Sequence, residues 1–188
     1  IAKQGSVGFY QGEVAQAIVN TVQKHPTNPG GLNLTDLQHY QVKTRPNTCI
    51  NYQQIYQICG MGLPSSGGIT VGQILGISEF ANLNQYPANS PQAWRIIGDA
   101  TRLAFADRAR YMADPDFTPD HSQDLLSTSY LKQRAALLQQ TDLALPEASA
   151  GEPKNLSQQA QRWAPQTSQA LPSTTHLVIH DQYGNLVS

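Results

Sequence analysis

The sequence has few charged residues and no long apolar run. Charged residues make up 13% of its 188 residues, against about a quarter in an average soluble protein. Twelve Lys and Arg against thirteen Asp and Glu give a net charge of -1, and the basic residues are scattered. No apolar run approaches the roughly 18 residues that a membrane helix needs. These absences argue against nucleic acid and a membrane span, and favour a small molecule or another protein as the partner.

Signature sequences of several enzyme classes are also missing. The chain has no Gly-x-Ser-x-Gly nucleophile elbow, no phosphate loop ending in Gly-Lys-Ser/Thr and no His-Glu-x-x-His zinc pair. Its five histidines have no metal-ligating companions at a useful spacing. The sequence therefore predicts no metal and no other cofactor.

Two long helices are predicted in the middle of the chain. The first follows Ser90, because serine is a favoured helix cap and Pro91 suits the first helical position. The residues expected on one face of it are Trp94, Ile97, Thr101, Ala104 and Tyr111. The second starts near Ser127 or Thr128 and ends by Pro146. Its expected packing residues are Leu131, Ala135 and Leu138.

Two shorter helices are predicted nearer the N-terminus. The first has apolar residues at helical spacing and must end before His25-Pro26, because the residue before a proline is disfavoured in a helix. Its apolar residues are Val14, Ala17, Ile18 and Val22. The second begins at Thr35, which has a capping-box spacing to Gln38.

A β-hairpin is predicted near residues 48–59. Thr48 to Tyr52 and Ile55 to Cys59 have the branched and aromatic content of strands, although Gln53-Gln54 lacks the Gly or Asn of a strong tight turn. If the turn centres near Gln54, Cys49 and Cys59 face each other, close enough for a disulfide. A pair of small buried apolar residues is the alternative.

The last part of the chain changes character. Residues 146–172 are rich in Ala, Ser, Gln, Gly and Pro without periodicity, and are expected to be a loose, mobile or surface-laid segment. The period-2 pattern around Val178 to His180, followed by the turn residues Asp181 to Asn185, predicts a second hairpin that the chain leaves unfinished. Together with the start at Ile1, this favours an internal piece of a longer protein.

Two polar motifs have simple structural interpretations. Leu63-Pro64-Ser65-Ser66-Gly67-Gly68 is typical of a tight loop that feeds a helix whose backbone N–H groups could receive an anion. The simpler interpretation is that Ser65 or Ser66 caps the helix and the glycines permit close packing. Asp114-Pro115-Asp116 is typical of a turn at the end of the preceding helix rather than of an acid–base pair.

Four groups of residues follow one another along the chain. They are Phe9-Tyr10-Gln11-Gly12-Glu13; Leu63-Pro64-Ser65-Ser66-Gly67-Gly68; Ala106-Asp107-Arg108 with Tyr111 and Asp114-Pro115-Asp116-Phe117; and Thr174-Thr175-His176 with Asp181 and Gly184-Asn185. In order and spacing they resemble the gamma-glutamyltranspeptidase family, and the resemblance spans nearly the whole chain.

The resemblance implies an α+β fold, part of an αββα N-terminal-nucleophile hydrolase sandwich that is mostly helical here with two β-hairpins. It also implies a precursor that cuts itself between Ser173 and Thr174. Residues 1–173 are then the C-terminal part of the large subunit, and residues 174–188 are the start of the small subunit. The implied partners are a γ-glutamyl substrate and the remainder of the parent chain.

The chemistry suits a threonine as the catalytic nucleophile. Once the preceding peptide bond is cut, the α-amino group of Thr174, with a pKa near 8, can assist proton removal from its own hydroxyl. Thr174 then attacks a γ-glutamyl amide such as that of glutathione, and the acyl group passes to water or to an amino acid. Without the resemblance, Thr174 and Thr175 are simply β-branched residues that open a strand.

The chain also departs from the family pattern. Leu177-Val178 replaces the aromatic residue and serine often found after Thr-Thr-His. The family's substrate-binding arginine is expected before Ile1 and its oxyanion donors after Ser188, so the isolated chain is expected to be inactive. We do not equate Ser65-Ser66 with the oxyanion serines.

Two other functions remain open at this point. One is a related acylase that removes glutaryl side chains from β-lactams, and the other is a non-processing relative that acts as an interaction module. Family members are commonly exported, which implies a periplasmic or extracellular location and fits a Cys49–Cys59 bond.

Overall fold

The computed structural model describes residues 1–140, 142–154 and 178–187. The chain divides into two compact units, Ile1–Thr44 and Arg45–Ser188. No helix in the described ranges combines the length and the apolar character that crossing a membrane requires.

The first unit contains three helices: α1 (Val7–Tyr10), α2 (Gly12–Gln23) and α3 (Leu34–Gln38). Helix α2 buries Ala15 and Val19 and ends before His25-Pro26, as predicted. The predicted cap of α3 is wrong: Asn33, not Thr35, caps it. The Asn33 side chain accepts the Asp36 N–H at 3.1 Å, and the Asp36 carboxylate accepts the Asn33 N–H at 2.9 Å, so the capping box begins two residues earlier.

The second unit contains two antiparallel hairpins and a helical core. In chain order its elements are β1 (Asn47–Tyr52), β2 (Tyr56–Met61), α4 (Gly67–Phe80), a 3-10 turn (Leu83–Gln85), α5 (Pro91–Tyr111), α6 (Ser122–Leu125), α7 (Thr128–Leu138), β3 (Ile179–His180) and β4 (Leu186–Val187). Strand β1 pairs with β2, and β3 pairs with β4. Both predicted hairpins are therefore present.

Helix α4 is the central element of this unit. It packs against the β1–β2 hairpin and against α5 and α7, which explains why it is apolar on nearly all sides. One core cluster comprises Ile77, Ala81, Ile96, Ala100, Leu103, Leu131, Ala135 and Leu138. A second comprises Leu63, Ile69, Tyr111, Leu125 and Tyr130.

Helix α5 begins as predicted, and part of its predicted packing face is buried. The Ser90 hydroxyl accepts the Ala93 N–H at 3.2 Å, and Pro91 is the first helical residue. Ala104 and Tyr111 are buried as predicted, whereas Trp94 is 61% exposed. The rest of the buried stripe comprises Ala93, Ile96, Asp99, Ala100, Leu103 and Asp107.

Helix α7 matches the prediction closely. Ser127 caps it by accepting the Tyr130 N–H at 3.3 Å, and the three expected packing residues are buried.

The β1–β2 turn forms despite its unfavourable residues. Gln53 and Gln54 have φ values of 53° and 57°, and the Ile55 N–H donates to the Tyr52 carbonyl at 3.2 Å, as in a type I′ turn. The Glu79 carboxylate, at the end of α4, accepts the Gln53 N–H at 3.3 Å. In this register Cys49 lies opposite Cys59, and the two are joined by a disulfide.

Candidate functional site

The predicted nucleophile Thr174 and its neighbour Ser173 lie outside the described residues. The candidate site is therefore built from the three motif groups of the second unit that are described. These are the loop before α4, the end of α5 with the turn that follows, and the turn between β3 and β4.

The loop before α4 brings two glycines into direct backbone contact. The Leu63–Pro64 peptide bond is cis, and α4 starts at Gly67. A Cβ atom added to Gly60 would lie 2.6 Å from the Gly68 Cα, and one added to Gly68 would lie 2.9 Å from the Met61 carbonyl oxygen. Both positions therefore need glycine, which supports the close-packing interpretation of this motif.

Ser66 has a different role from the cap that the sequence suggested. It occupies the N-cap position of α4, but its side chain makes no capping hydrogen bond. Its hydroxyl accepts a hydrogen bond from Arg108 Nε at 2.8 Å. Because a guanidinium donates hydrogen bonds and accepts none, Arg108 cannot serve as a base for Ser66. The contact ties the loop to α5.

Asp107 of α5 lies at the centre of a buried polar cluster. Its carboxylate accepts hydrogen bonds from Gln73 Nε2 at 2.8 Å and from the Gly151 N–H at 2.9 Å, and it faces an Arg134 nitrogen at 3.3 Å. Burial raises the pKa of Asp107, while the charge of Arg134 and these hydrogen bonds oppose the rise. The cluster connects α4, α5 and α7 to a segment without regular structure.

The side chains of Tyr111 and Arg134 also bind the backbone of that segment. The Tyr111 hydroxyl donates to the Gly151 carbonyl at 2.6 Å, and Arg134 donates to the Ser149 carbonyl at 2.7 Å. Burial raises the pKa of Tyr111 above its usual value, so the hydroxyl keeps its proton and remains a donor. Burial, together with the Asp107 charge, also raises the pKa of Tyr130.

These contacts favour the surface-laid alternative for the described start of the segment predicted over residues 146–172. Backbone groups of Pro146 and Gly151 bond to side chains of α5, and Pro153 is buried. The low apolar content that suggested mobility is offset here by bonds from charged side chains to the backbone. Residues 155–172 lie outside the described part of the chain.

Asp114-Pro115-Asp116 forms a turn after α5, as predicted. The Phe117 N–H donates to the Asp114 carbonyl at 3.0 Å. Arg45 bridges the carboxylates of Asp114 and Asp116, each at 3.1 Å. This distant ion pair was not predicted, and it joins the turn to Arg45, just before strand β1.

The β3–β4 turn is organised by Asp181. Its carboxylate accepts the N–H groups of Tyr183 and Asn185, each at 2.9 Å, and the Asn185 side-chain amide at 2.7 Å. The hydrogen bond from the Asn185 side chain is the main reason that the pKa of Asp181 is lowered. Gly184 has a φ of 86°, which favours glycine at that position.

Sequence reasoning missed Gln73, Asp99 and Arg134 as members of buried polar contacts. A usable signal was present, since each stands at a position where the helical period places apolar neighbours on the same face. A polar residue within an apolar stripe predicts a buried hydrogen-bonded group.

Within residues 1–140, 142–154 and 178–187, no three His, Cys, Asp or Glu side chains come together as a metal site. The hydrogen bonds and ion pairs described above hold segments of the chain in place. The described residues before Thr174 end at Lys154, and those after it begin at Val178 and contain the β3–β4 hairpin.

Comparison with known proteins places these features in context. The whole chain, residues 1–188, matches the family model described as Gamma-glutamyltranspeptidase. It is 32% identical over 192 residues to the Glutathione hydrolase proenzyme of Bacillus subtilis (strain 168) and 34% identical over 189 residues to that of Escherichia coli (strain K12). Both alignments cover all of this chain but 32% and 30% of the relatives. The chain thus spans about a third of the length of these curated relatives.

Solved structures and acylases give two further comparisons. The crystal structure of Helicobacter pylori gamma-glutamyltranspeptidase aligns with a TM-score of 0.71 at 34% identity, covering 83% of this chain and 44% of that one. The Acylase ACY 1 proenzyme of Pseudomonas sp. (strain V22) is 29% identical over all of this chain and 30% of its own length.

Proposed function

Because this chain belongs to the gamma-glutamyltranspeptidase family, we propose that the full-length protein is a γ-glutamyl acyltransferase or hydrolase that matures by cutting itself before Thr174. The match of the family model to residues 1–188 carries this proposal. The α+β fold class predicted from the sequence, that of the N-terminal-nucleophile hydrolases, is confirmed by the likeness to the H. pylori enzyme.

The proposed reaction has two stages. In self-cleavage, the Thr174 hydroxyl attacks the carbonyl carbon of Ser173, the C–N bond breaks, and water hydrolyses the resulting ester. The freed α-amino group, with a pKa near 8, then assists proton removal from the same hydroxyl. In turnover, Thr174 attacks a γ-glutamyl amide, releases the amine, and passes the acyl group to water or to an amino acid.

This maturation gives the two subunits expected from the sequence. Residues 1–173 belong to the large subunit, residues 174–188 open the small subunit, and the two remain together as a heterodimer. The name "proenzyme" carried by the B. subtilis and E. coli relatives supports this assignment. We also propose a periplasmic or extracellular location, which the Cys49–Cys59 disulfide supports, because such bonds persist in oxidising compartments.

Self-cleavage is tested first by intact mass and N-terminal sequencing of the purified full-length protein. We expect a small subunit that begins at Thr174 in the wild type and an uncut chain in Thr174→Ala. Ser173→Ala is the matched control: it removes the hydroxyl on the other side of the bond, and the variant should still be cut. An uncut wild type would refute the proposal and favour a non-processing relative.

The acyl donor is tested on the matured protein with two substrates. A γ-glutamyl anilide should be turned over faster than a glutaryl β-lactam, since the Helicobacter and Bacillus relatives bear transpeptidase and glutathione hydrolase names. The similarity to the Pseudomonas acylase makes the opposite preference the second candidate function. Residues 1–188 expressed alone should turn over neither substrate; measurable turnover by this piece would contradict that part of the proposal.

A further inference from the structure

The Cys49–Cys59 disulfide lies on the outer face of the β1–β2 hairpin. Residues of a strand point alternately to the two faces of a sheet. On the inner face, Gly60 is in backbone contact with α4, and a Cβ added to Gly72 of that helix would lie 3.1 Å from the Ile50 side chain. Each cysteine is next in sequence to one of these two inner residues, so both cysteines point away from the helical core.

The two cysteines differ in how far solvent reaches them. Cys59 of β2 is exposed, whereas Cys49 of β1 is half-buried. Neither strand contains a charged side chain. A negatively charged thiolate can therefore approach Cys59 without meeting a carboxylate on either strand. The residues that share the outer face with the disulfide are all exposed: Asn47, Asn51, Gln57 and Met61.

Other contacts hold the hairpin in place without the two sulfur atoms. The strands pair in a single register from Asn47 opposite Met61 to Tyr52 opposite Tyr56. The backbone contact between β2 and α4 fixes the far end of the hairpin, and a hydrogen bond from the turn to the Glu79 carboxylate fixes the near end. Opening the disulfide should therefore leave the two cysteines opposite each other, so that the reaction is reversible.

The substrate class of the proposed reaction supplies a thiol. Glutathione carries a cysteine thiol as well as its γ-glutamyl amide, and the B. subtilis and E. coli relatives are both named Glutathione hydrolase proenzyme. A protein that acts on glutathione meets this thiol at substrate concentrations. Exposed disulfides are the ones that exchange with small thiols, because attack requires access to a sulfur atom.

We propose that Cys59 is a thiol–disulfide exchange site for glutathione, where the choice of thiol rests on the proposed function. The glutathione thiolate attacks Cys59 Sγ, the bond between the two protein sulfurs breaks, and a new S–S bond joins Cys59 to glutathione. The electron pair of the broken bond leaves with Cys49 Sγ, which takes up a proton. Attack by the Cys49 thiolate on the mixed disulfide reverses the step and releases glutathione.

The experiment uses the full-length protein in a Thr174→Ala background, where the proposed nucleophile is absent and glutathione is not consumed as an acyl donor. The folded protein is incubated with a mixture of reduced and oxidised glutathione and then quenched with acid, which protonates the thiolates and stops exchange. Peptide mapping by mass spectrometry then locates the adduct, and circular dichroism before the quench checks that the protein is folded.

Two single-cysteine variants serve as a matched pair. Cys49→Ser leaves only the Cys59 thiol in this hairpin, and Cys59→Ser leaves only the Cys49 thiol. Both variants remove the same disulfide, so a difference between them reports the surroundings of each sulfur. The rate at which each variant gains glutathione is measured in the same mixture.

We expect glutathione on Cys59 and a free thiol on Cys49 in the folded protein. In the matched pair, Cys49→Ser should gain glutathione about 10-fold faster than Cys59→Ser, because Cys59 is the more exposed. An adduct mainly on Cys49, or equal rates in the pair, would overturn the assignment. An adduct that forms only in urea would also overturn it, since the site would then be covered in the folded full-length protein.

Failure of the proposed function would give a different result. It shows as a wild-type protein that is never cut before Thr174, whereas exchange at Cys59 requires neither cleavage nor the Thr174 hydroxyl. An uncut wild type that still gains glutathione on Cys59 would refute the proposed function and support the exchange site. A cut wild type without the adduct would refute the exchange site alone.

Discussion

Asp107 and Asp181 both use a carboxylate to accept backbone N–H groups, but in opposite surroundings. Asp107 is fully buried and binds Gly151, 44 residues away, and burial raises its pKa. Asp181 lies at the surface and binds residues two and four positions ahead, and hydrogen bonds from Asn185 lower its pKa. One carboxylate fixes a distant segment at an electrostatic cost, and the other organises its own turn with little cost.

The comparison shows how much of the structure depends on each carboxylate. A turn carboxylate acts within a few residues, so its loss should disturb only the hairpin. A buried carboxylate depends on its cation and its dry surroundings, so changes there should spread through the α4, α5 and α7 core.

The largest expected effect comes from removing the cation beside Asp107. Arg134→Leu should reduce the free energy of unfolding by about 3 to 5 kcal/mol, because it leaves a buried carboxylate uncompensated. Urea denaturation measures this. Gln133→Leu is the control on the exposed side of α7 and should change the value by about 0.5 kcal/mol or less. Adding Asp107→Asn to Arg134→Leu should restore part of the loss; no recovery would mean that the charge is not the cause.

A second test uses the raised pKa of Asp107. Because the pKa of Asp107 is raised in the folded state by burial, the protonated form is favoured there. Its contribution to stability is fully present below the unfolded value near 3.8 and is lost as pH rises through the raised pKa. The stability of the wild type relative to Asp107→Asn should therefore fall as pH rises above about 4, measured by urea unfolding at stepped pH. A difference that is flat or grows with pH would contradict the raised pKa.

A smaller effect on the free energy of unfolding is expected at the β1–β2 turn, which is formed by Gln53 and Gln54. Gln54 has a φ of 57°, which glycine adopts without steric cost. Gln54→Gly should raise the free energy of unfolding by about 1 kcal/mol, measured by thermal or urea unfolding. Gln57→Gly, in strand β2, is the control and should destabilise, since a strand interior disfavours glycine. Equal effects at both positions would exclude the turn as the source.

The smallest effect is expected at Asp181. Its pKa is lowered by the hydrogen bonds from Asn185, so its support of the turn is present above about 3.8 and is lost as pH falls through the lowered pKa. The amide resonances of Tyr183 and Asn185 should shift together in that acid window, while those of α5 stay in place. Asp181→Ala should abolish the shift and leave global unfolding unchanged; a global change would show that the turn is not a local device.

Local signals in the sequence predicted much of the fold. The cap at Ser90, the start of α7 near Ser127 and the facing of Cys49 and Cys59 follow from residues close together or from a simple register. Asn33 and Thr35 show the limit of such signals, because both can cap a helix and only the local geometry selects one. Trp94 shows another limit, since its helical spacing suits the packing face but its side chain is 61% exposed.

The contacts on Gly151 could not be predicted because their partners are far apart in the sequence. Nothing in a window around Gly151 indicates Asp107 or Tyr111. The nucleophile Thr174 was identified by resemblance to a family rather than by local pattern, and it stays a prediction because it lies outside the described residues.

The backbone contact between Gly60 and Gly68 leaves no room for gradual change where strand β2 gives way to helix α4. A methyl group at Gly60 would lie 2.6 Å from the Gly68 Cα, so even alanine requires the two elements to separate. In sequence evolution, the two positions are therefore expected to be constrained together. For protein engineering, this junction is a poor place to introduce a side chain or a label.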